Sequence, residues 1–272
     1  MSQDVLYEKG VDGVAIITLN RPDSLNAMGS ELISLLGRHL EEAAGDREVR
    51  CVVLTGAGRA FCAGGDVKEM GQRRAQLASQ DQPPASILEA NVASLRASQD
   101  STALKLHTMG KPTIAMVNGH AVGAGLSLAL ACDIRIASDR AKFGTAFRHV
   151  GMSGDFGGSY FLQRLIGAGK ARELYFTGEI VDAETAASLG MVNRVVPHER
   201  LEEETMAFAA KLAAGPTATY ARMKQNFNLA AHSDIKTLMD QEALNMVVSA
   251  MSADSLEAVR AFIEKREPRF GG

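Results

Sequence analysis

The stretch TIAMVNGHAVGAGLSLALAC, residues 113 to 132, places a strand, a glycine-rich turn and an apolar helix in direct succession. TIAMV is an apolar run of strand length, and the turn NGHAVGAG ends it with residues that interrupt a strand. The apolar segment LSLALAC then has the composition of a helix, and DIRIAS after it has the pattern of another strand. This order of strand, turn, helix and strand indicates an α/β fold.

A second segment, VVLTGAGRAFCAGGDV (52 to 67), follows the same plan of a buried strand and a glycine-rich turn running into a helix. Upstream, GVAIITL (13 to 19) has the pattern of a core strand, as does CVVLT (51 to 55) within the second segment. Between these strands, SELISLLGRHLEEAA (30 to 44) carries leucines on one face, which predicts an amphipathic helix with Ser30 available as its N-cap.

The rest of the chain divides into a polar segment and a helical region. GQRRAQLASQDQPPAS (71 to 86) contains a Pro-Pro pair and is interpreted as a mobile surface loop that could cover a site. From about residue 201 the pattern is almost entirely helical, with breaks near AAGPT (213 to 217) and SADS (252 to 255). We therefore predict a core over residues 1–200 and a helical region over residues 201–272.

Composition excludes several classes of protein. Hydrophobic residues make up 46% and charged residues 22% of the 272 residues, which is typical of a globular chain. The net charge of -3 without a basic stripe argues against a nucleic-acid partner. No apolar run is long enough to span a membrane and the N-terminus lacks a signal-peptide core, so we expect a cytoplasmic protein without a membrane partner. Three cysteines without metal spacing are expected to be buried, reduced thiols (Cys51, Cys62 and Cys132).

Common catalytic motifs are absent from the sequence. GAGRAF (56 to 61) lacks the third glycine of a dinucleotide fingerprint, and GAGKAR (167 to 172) lacks the Ser or Thr of a phosphate loop and suits a connection between helices. The six histidines include no pair at the helical spacing of metal ligands, and no serine occupies a nucleophile elbow.

The two glycine turns remain as candidates for chemistry. VGAG (122 to 125) and CAGGD (62 to 66) each precede a predicted helix, where backbone N–H groups lack an intrahelical partner and the helix dipole is positive. If the turns meet in space, two N–H groups could stabilise one oxyanion. The alternative is that these glycines only allow tight packing and positive φ.

At this point the sequence resembles a known family, the crotonase or enoyl-CoA hydratase/isomerase superfamily. The resemblance rests on blocks that match it in order and spacing over nearly the whole chain: RPDSLNAM (21 to 28), GAGRAFCAGGDVKEM (56 to 70), KPTIAMVNGHAVGAGLSLALACDIRIAS (111 to 138), FGTAFRHVGMSGDFGGSYFLQRLIG (143 to 167) and AFIEKREPRF (261 to 270). It implies a spiral of ββα units followed by a C-terminal helical trimerisation region, assembly as a homo-trimer or hexamer, and acyl-CoA thioester substrates. No cofactor is implied, because coenzyme A is part of the substrate.

The resemblance also implies roles for individual residues. The backbone N–H groups of Gly65 and Ala124 would bind the thioester carbonyl oxygen. The residues that match segments contacting CoA are Arg21, Leu25, Ala27, Ala63, Asp66 and Val67. Near the C-terminus, Phe262 and Lys265 match residues that reach the CoA of a neighbouring subunit.

The sequence departs from the family where hydratases carry two glutamates, since these positions hold Ser127 and Phe147. A serine without an activator and a phenylalanine cannot replace two carboxylates in proton transfer. Asp155, within GMSGDFGGS (151 to 159), instead matches the single carboxylate of the enoyl-CoA isomerase branch, with Phe147 expected in its apolar surroundings. The alternative role for Asp155 is to cap the following helix.

The expected activity is therefore a shift of a double bond from a 3-enoyl-CoA to a 2-enoyl-CoA. Two alternatives stay open: hydration with an atypical acid/base set, and a homologue that binds acyl-CoA without turnover. A dehalogenase of the same superfamily also uses an aspartate at the position of Asp155. Its histidine would fall at Leu104, and the indole donor it requires is missing because the chain has no tryptophan.

Overall fold

The computed structural model describes residues 3–10, 12–78 and 84–271, which form helices around two sheets. The strands are β1 (Val5–Lys9), β2 (Val14–Leu19), β3 (Cys51–Gly56), β4 (Ala60–Cys62), β5 (Thr113–Val117), β6 (His120–Val122), β7 (Ile134–Ser138), β8 (Lys142–Gly144), β9 (Ile180–Asp182) and β10 (Arg194–Val196). The helices are α1 (Ser30–Gly45), α2 (Val67–Ala78), α3 (Pro84–Gln99), α4 (Lys105–Thr108), α5 (Ala124–Ala131), α6 (Gly158–Ile166), α7 (Ala168–Thr177), α8 (Ala183–Ser188), α9 (Leu201–Ala213), α10 (Thr217–Ala230), α11 (Ile235–Ala250) and α12 (Ala253–Glu264). A π-helical segment, Asp100–Leu104, joins α3 to α4.

The strands form one six-stranded sheet, in the order β1-β2-β3-β5-β7-β10, and one four-stranded sheet, in the order β4-β6-β8-β9. In three successive units a longer strand joins the first sheet, a short strand joins the second sheet, and a helix follows: β3-β4-α2, β5-β6-α5 and β7-β8-α6. The strands of these units pair in parallel within each sheet. The predicted α/β spiral of ββα units is thereby confirmed.

The larger sheet is buried on both faces, as expected for parallel strands of continuous apolar sequence. On one face, Leu54 and Val117 belong to the main core, which also contains most of the apolar residues of α1 and α5. On the other face, Val53 and Ile114 pack in a second core with Leu201 and Ala209 of α9. Helix α5 is buried along its whole length, in agreement with its uniformly apolar sequence.

Two local predictions were wrong. The proposed mobile loop over residues 71–86 is helical where the structure describes it, since α2 continues to Ala78 and α3 begins at Pro84; residues 79–83 of that prediction lie outside the described residues. Ser30 is also not the N-cap of α1, because Gly29 occupies that position. Instead, the N–H of Ser30 donates to Oε2 of Glu69 at 3.1 Å, so a carboxylate from α2 caps α1 across the fold. Sequence reasoning treats caps as local and had no signal for this one.

The C-terminal region is helical from Leu201, with breaks at the two predicted places. Helix α9 packs against the larger sheet, whereas α10 to α12 expose many large apolar side chains, including Phe227, Met251 and Phe262. The role of residues 201–272 in trimerisation stays a prediction. Within the described residues, no helix combines the length and apolar character needed to cross a membrane.

Candidate active site

The two glycine turns meet where β4 and β6 lie side by side in the smaller sheet. A Cβ on Gly64 would lie 3.5 Å from the backbone nitrogen of Ala124 and 2.9 Å from the carbonyl oxygen of Val122. Gly64 also has a φ of +94°, in the region that favours glycine. On the other side of the contact, a Cβ on Gly125 would lie 2.6 Å from the Cβ of Cys62. The glycines are therefore required for close approach, and that approach brings the two turns together.

Two backbone N–H groups are left free at this contact. Ala124 is the first residue of α5, so its N–H has no intrahelical acceptor. Gly65 forms an isolated parallel bridge with Met28, in which the neighbouring N–H of Asp66 donates to the carbonyl of Met28 at 3.2 Å. Neither Gly65 nor Ala124 donates its N–H to a backbone carbonyl in the part of the chain that the structure describes. Both residues line one cavity of about 600 Å³.

Asp155 lines the same cavity. Its carboxylate oxygen Oδ1 is buried and has no hydrogen-bond partner among the described residues. Burial raises the pKa of Asp155 from its ordinary value to about 6. Gly157, not Asp155, is the N-cap residue of α6, so the alternative of a capping aspartate is wrong. The aspartate is a desolvated carboxyl group that faces a cavity.

Two further carboxylates border the cavity, but both are engaged in hydrogen bonds. Asp66 Oδ1 accepts from the N–H groups of Lys68 and Glu69 at the start of α2, and its Oδ2 lies 3.1 Å from Nη1 of Arg21. These bonds, with that from the N–H of Glu69 foremost, hold the pKa of Asp66 below its ordinary value. Glu69 accepts from the N–H and hydroxyl of Ser30. Sequence reasoning missed Glu69, because nothing local indicates that α1 and α2 meet.

The two positions that lack the family's glutamates, Ser127 and Phe147, are not among the described residues that line this cavity, but both lie beside the segment that carries Asp155. A Cβ added to Gly158 would lie 2.6 Å from Tyr175 Oη and closer still to the hydroxyl oxygen of Ser127. Both hydroxyl groups therefore lie next to Gly158. Phe147 is buried and stacks on Tyr175 with ring centroids 6.0 Å apart. Burial and the charge of Asp155 raise the pKa of Tyr175 to about 12, so its hydroxyl stays protonated at neutral pH. Tyr175 was not among the predicted site residues, since only the folded chain places α7 beside this loop.

The predicted CoA-contacting segments contact each other, and Asp66 is the one of their predicted residues that lines the cavity in the described part of the chain. The N–H of Ala63 donates to the carbonyl of Leu25 at 3.0 Å, and Nη1 of Arg21 donates to the carbonyl of Ala27 at 2.9 Å. Val67 follows Asp66 directly and is 63% exposed. Their binding of CoA stays a prediction, and the contacts of Arg21 and Asp66 show in addition a role in holding the two segments together.

Phe262 and Lys265 are not brought to the cavity within one chain. Phe262 on α12 is 86% exposed, and Lys265 is an exposed residue at the end of that helix. Their contact with a neighbouring subunit's CoA stays a prediction. The three cysteines are buried and free, as predicted, and burial raises the pKa of each thiol to about 12. Such thiols are not reactive nucleophiles.

The fold and this cavity define a class of protein in which two N–H groups from successive ββα units face one site beside a desolvated carboxyl group. Comparison with known proteins agrees: the family model for enoyl-CoA hydratase/isomerase matches residues 9–272. The chain is 37% identical to the 1,2-epoxyphenylacetyl-CoA isomerase of Escherichia coli, over 96% of this chain and 95% of that one. It is 34% identical to the short-chain-enoyl-CoA hydratase of Clostridium acetobutylicum, over 93% and 92% of the two chains.

A crystal structure of enoyl-CoA hydratase from Bacillus anthracis superposes with a TM-score of 0.88 at 32% identity, covering 99% of this chain and 100% of that one. The protein therefore belongs to the enoyl-CoA hydratase/isomerase family of the crotonase superfamily. Hydratase names outnumber isomerase names among these relatives, so the comparisons leave the reaction of this member open.

Proposed function

We propose that the protein shifts a double bond in an acyl-CoA thioester, converting a 3-enoyl-CoA into the conjugated 2-enoyl-CoA. The observation that carries the proposal is the unpartnered, buried carboxylate oxygen of Asp155 in the cavity that Gly65 and Ala124 also line. Such a carboxyl group can take a proton from the substrate and give it back. The reaction needs no cofactor beyond the CoA of the substrate.

In the proposed reaction the thioester carbonyl oxygen accepts hydrogen bonds from the N–H groups of Gly65 and Ala124. Asp155 removes a proton from C2, and the electron pair of that C–H bond delocalises onto the carbonyl oxygen as a dienolate. The protonated Asp155 then returns the proton to C4, so that the double bond moves from C3–C4 to C2–C3. Donors placed for the developing oxyanion each contribute about 10²- to 10³-fold to the rate of such reactions.

The pKa of Asp155 suits both halves of this shuttle. At neutral pH a carboxyl group with a pKa of about 6 is mostly ionised and can act as a base, yet it is a stronger base than an exposed aspartate. Ser127 and Phe147 contribute no carboxylate to position or activate water. Among the described residues, the cavity therefore has one carboxylate left for proton transfer, as a 1,3-proton shift requires, whereas hydration in the family uses a pair.

Hydration is the second candidate. It is favoured by the hydratase names of most relatives and by the hydroxyl groups of Ser127 and Tyr175, which lie together beside Gly158. In this alternative Asp155 activates a water held by these hydroxyls. A third possibility is an acyl-CoA-binding protein without turnover, which keeps the two N–H donors and has lost the chemistry.

One pair of assays separates the three candidates. The protein is incubated with a 3-enoyl-CoA and, separately, with a 2-enoyl-CoA, while the absorbance of the conjugated thioester is followed. A rise with the first substrate supports isomerisation, a fall with the second supports hydration, and no change with measurable CoA-ester binding supports the binding protein.

Two variants test the assignment of the base. Asp155→Asn should lower isomerase turnover by about 10²- to 10⁴-fold, the usual contribution of a general base, with acyl-CoA affinity retained. Glu69→Gln removes the charge of the neighbouring carboxylate and should retain most of the turnover. A large loss in Glu69→Gln with an active Asp155→Asn would show that the base is Glu69.

A further inference from the structure

A second cavity, of about 380 Å³, borders Phe156. Phe156 lines both this cavity and the one that contains Asp155, and it is the residue the two linings share in the described part of the chain. The second cavity is bordered mainly by apolar and aromatic groups, among them Ala103, Leu104, Tyr160 and Phe161. Its lining could accommodate a hydrocarbon chain.

The backbone holds Phe156 in an uncommon conformation. Its φ is +48°, and Gly157 after it also has a positive φ of +75°. A left-handed conformation is strained in a bulky residue and persists where the surroundings enforce it, often beside ligands. Here the N–H of Phe156 donates to Oε1 of Gln99 at 3.1 Å, and the side chain is only 4% exposed. The ring is thus fixed in place directly after the candidate base.

We propose that the Phe156 ring ends the acyl-binding cavity and sets the upper limit of acyl length. The proposal rests on the proposed function for one point, that the thioester carbonyl binds at Gly65 and Ala124. With the carbonyl there and C2 and C4 beside Asp155, the remaining acyl carbons occupy the same cavity, whose lining includes Phe156. An acyl chain longer than the first cavity meets the ring, and the space behind it is closed to substrate.

Removing the ring should join the two cavities. Phe156→Ala is therefore expected to bind long acyl chains that the wild type does not accommodate. Each methylene that becomes buried should raise affinity about fourfold, in line with the transfer free energy of a CH₂ group. For short acyl groups, which do not reach the ring, affinity should change little.

The test is the dissociation constant of saturated acyl-CoA esters from butanoyl to hexadecanoyl, which requires no turnover. For the wild type we expect affinity to rise with length and then to stop rising, whereas for Phe156→Ala it continues to rise beyond that length. Phe176→Ala, which removes an exposed ring on α7, is the matched control and should reproduce the wild-type curve. Thermal unfolding of each variant checks that the chain is folded.

A variant in which the second cavity is filled by another side chain tests whether the effect of Phe156→Ala comes from access to that cavity. In Phe156→Ala/Ala103→Leu, the added side chain occupies the second cavity and should restore the wild-type limit. Phe156→Gly, which removes the ring and also relieves the left-handed strain, should extend the accepted length as Phe156→Ala does.

The outcomes separate this proposal from the proposed function. If the wild type and Phe156→Ala show the same dependence on acyl length, or if the wild type gains affinity up to the longest chain, Phe156 sets no limit and the proposal is wrong. If the wild type binds no acyl-CoA ester of any length, the proposed function is wrong, and the proposed role of Phe156 is wrong with it. Length-dependent binding without turnover contradicts the isomerase while leaving the role of Phe156 supported.

Discussion

The backbone nitrogen of Ala124 lies 3.5 Å from the position that a Cβ on Gly64 would occupy. This contact joins the turn after β4 to the first residue of α5, and so places the free N–H of Ala124 close to that of Gly65. The pairing of β4 with β6 in the smaller sheet holds the segments before these two turns side by side. The relative position of the Gly65 and Ala124 N–H groups thus depends on Gly64, which is not one of the two donors.

Gly64→Ala should therefore separate the two donors. The new Cβ would approach the carbonyl oxygen of Val122 to 2.9 Å in a backbone conformation with φ of +94°, so the turn has to shift. We expect turnover to fall by at least about 10²-fold, the usual effect of losing one oxyanion donor. Gly169→Ala in α7, where nothing lies within 4 Å of the added Cβ, is the control and should keep full turnover. A fully active Gly64→Ala would show that the contact does not position the donors.

The rate of the proposed isomerisation should depend on pH through Asp155. The base must be ionised in the free enzyme, and its pKa is about 6. We expect kcat/KM to be constant well above pH 6 and to fall about tenfold per pH unit below it. The measurement is kcat/KM for a 3-enoyl-CoA between pH 5 and 8, with thermal unfolding followed at each pH. A flat profile in a folded enzyme would contradict Asp155 as the base.

The ionised side chain of Asp155 should also lower the free energy of unfolding at neutral pH. Its pKa is raised on folding, so the folded state binds the proton more tightly than the unfolded chain, and the free energy of unfolding falls as pH rises from about 4 to about 6. Asp155→Asn should consequently be more stable than the wild type at pH 7.5, by at most about 3 kcal/mol, since one pKa unit corresponds to about 1.4 kcal/mol. The difference should shrink toward pH 4. Denaturant unfolding at both pH values measures it, and equal stabilities at pH 7.5 would indicate that the aspartate is well solvated.

The parts of the fold predicted correctly from sequence are those with strong local patterns. The uniformly apolar α5 and the glycine turns before α2 and α5 follow from residue types at fixed spacing. The same patterns indicated the two glycine turns as candidates for chemistry, and the family resemblance assigned the donors within them to Gly65 and Ala124; that the turns meet is shown by the fold.

The predictions that failed, and the residues that were missed, depend on contacts between distant segments. Residues 71–78 were interpreted as a loop from their polarity and the downstream Pro-Pro pair, yet they continue α2. Glu69 caps α1 from another helix, and Tyr175 of α7 places its hydroxyl group beside Gly158. A capping role for Asp155 was equally compatible with the local sequence, and only the position of Gly157 as the N-cap excluded it.

A partly buried ion pair should anchor α10 to the core. Lys224 Nζ lies 2.8 Å from Oδ2 of Asp133, which also accepts from the N–H and hydroxyl of Thr113. Lys224→Met keeps the apolar stem but leaves the carboxylate without its cation, and we expect it to lower the free energy of unfolding by about 2 to 4 kcal/mol. Lys236→Met breaks an exposed pair with Asp240 and should cost less than about 1 kcal/mol. Similar losses of unfolding free energy in the two variants would show that the Lys224–Asp133 pair stabilises the fold no more than an exposed pair does.

The C-terminal helices should bury their apolar surface against other copies of the chain. Phe227, Met251 and Phe262 are each about four-fifths exposed, and further large apolar side chains of α10 to α12 are exposed with them. Large exposed apolar surfaces mark interaction sites. We propose that the protein forms trimers or hexamers, as the resemblance predicted, so sedimentation should give three or six times the mass of 28.9 kDa. Phe262→Ser should weaken this assembly, whereas Phe176→Ser, at an exposed ring on α7, should leave it unchanged. A wild-type protein that sediments as a monomer at micromolar concentration would contradict the proposal, and would leave the role expected for Phe262 and Lys265 at a neighbouring CoA without a basis.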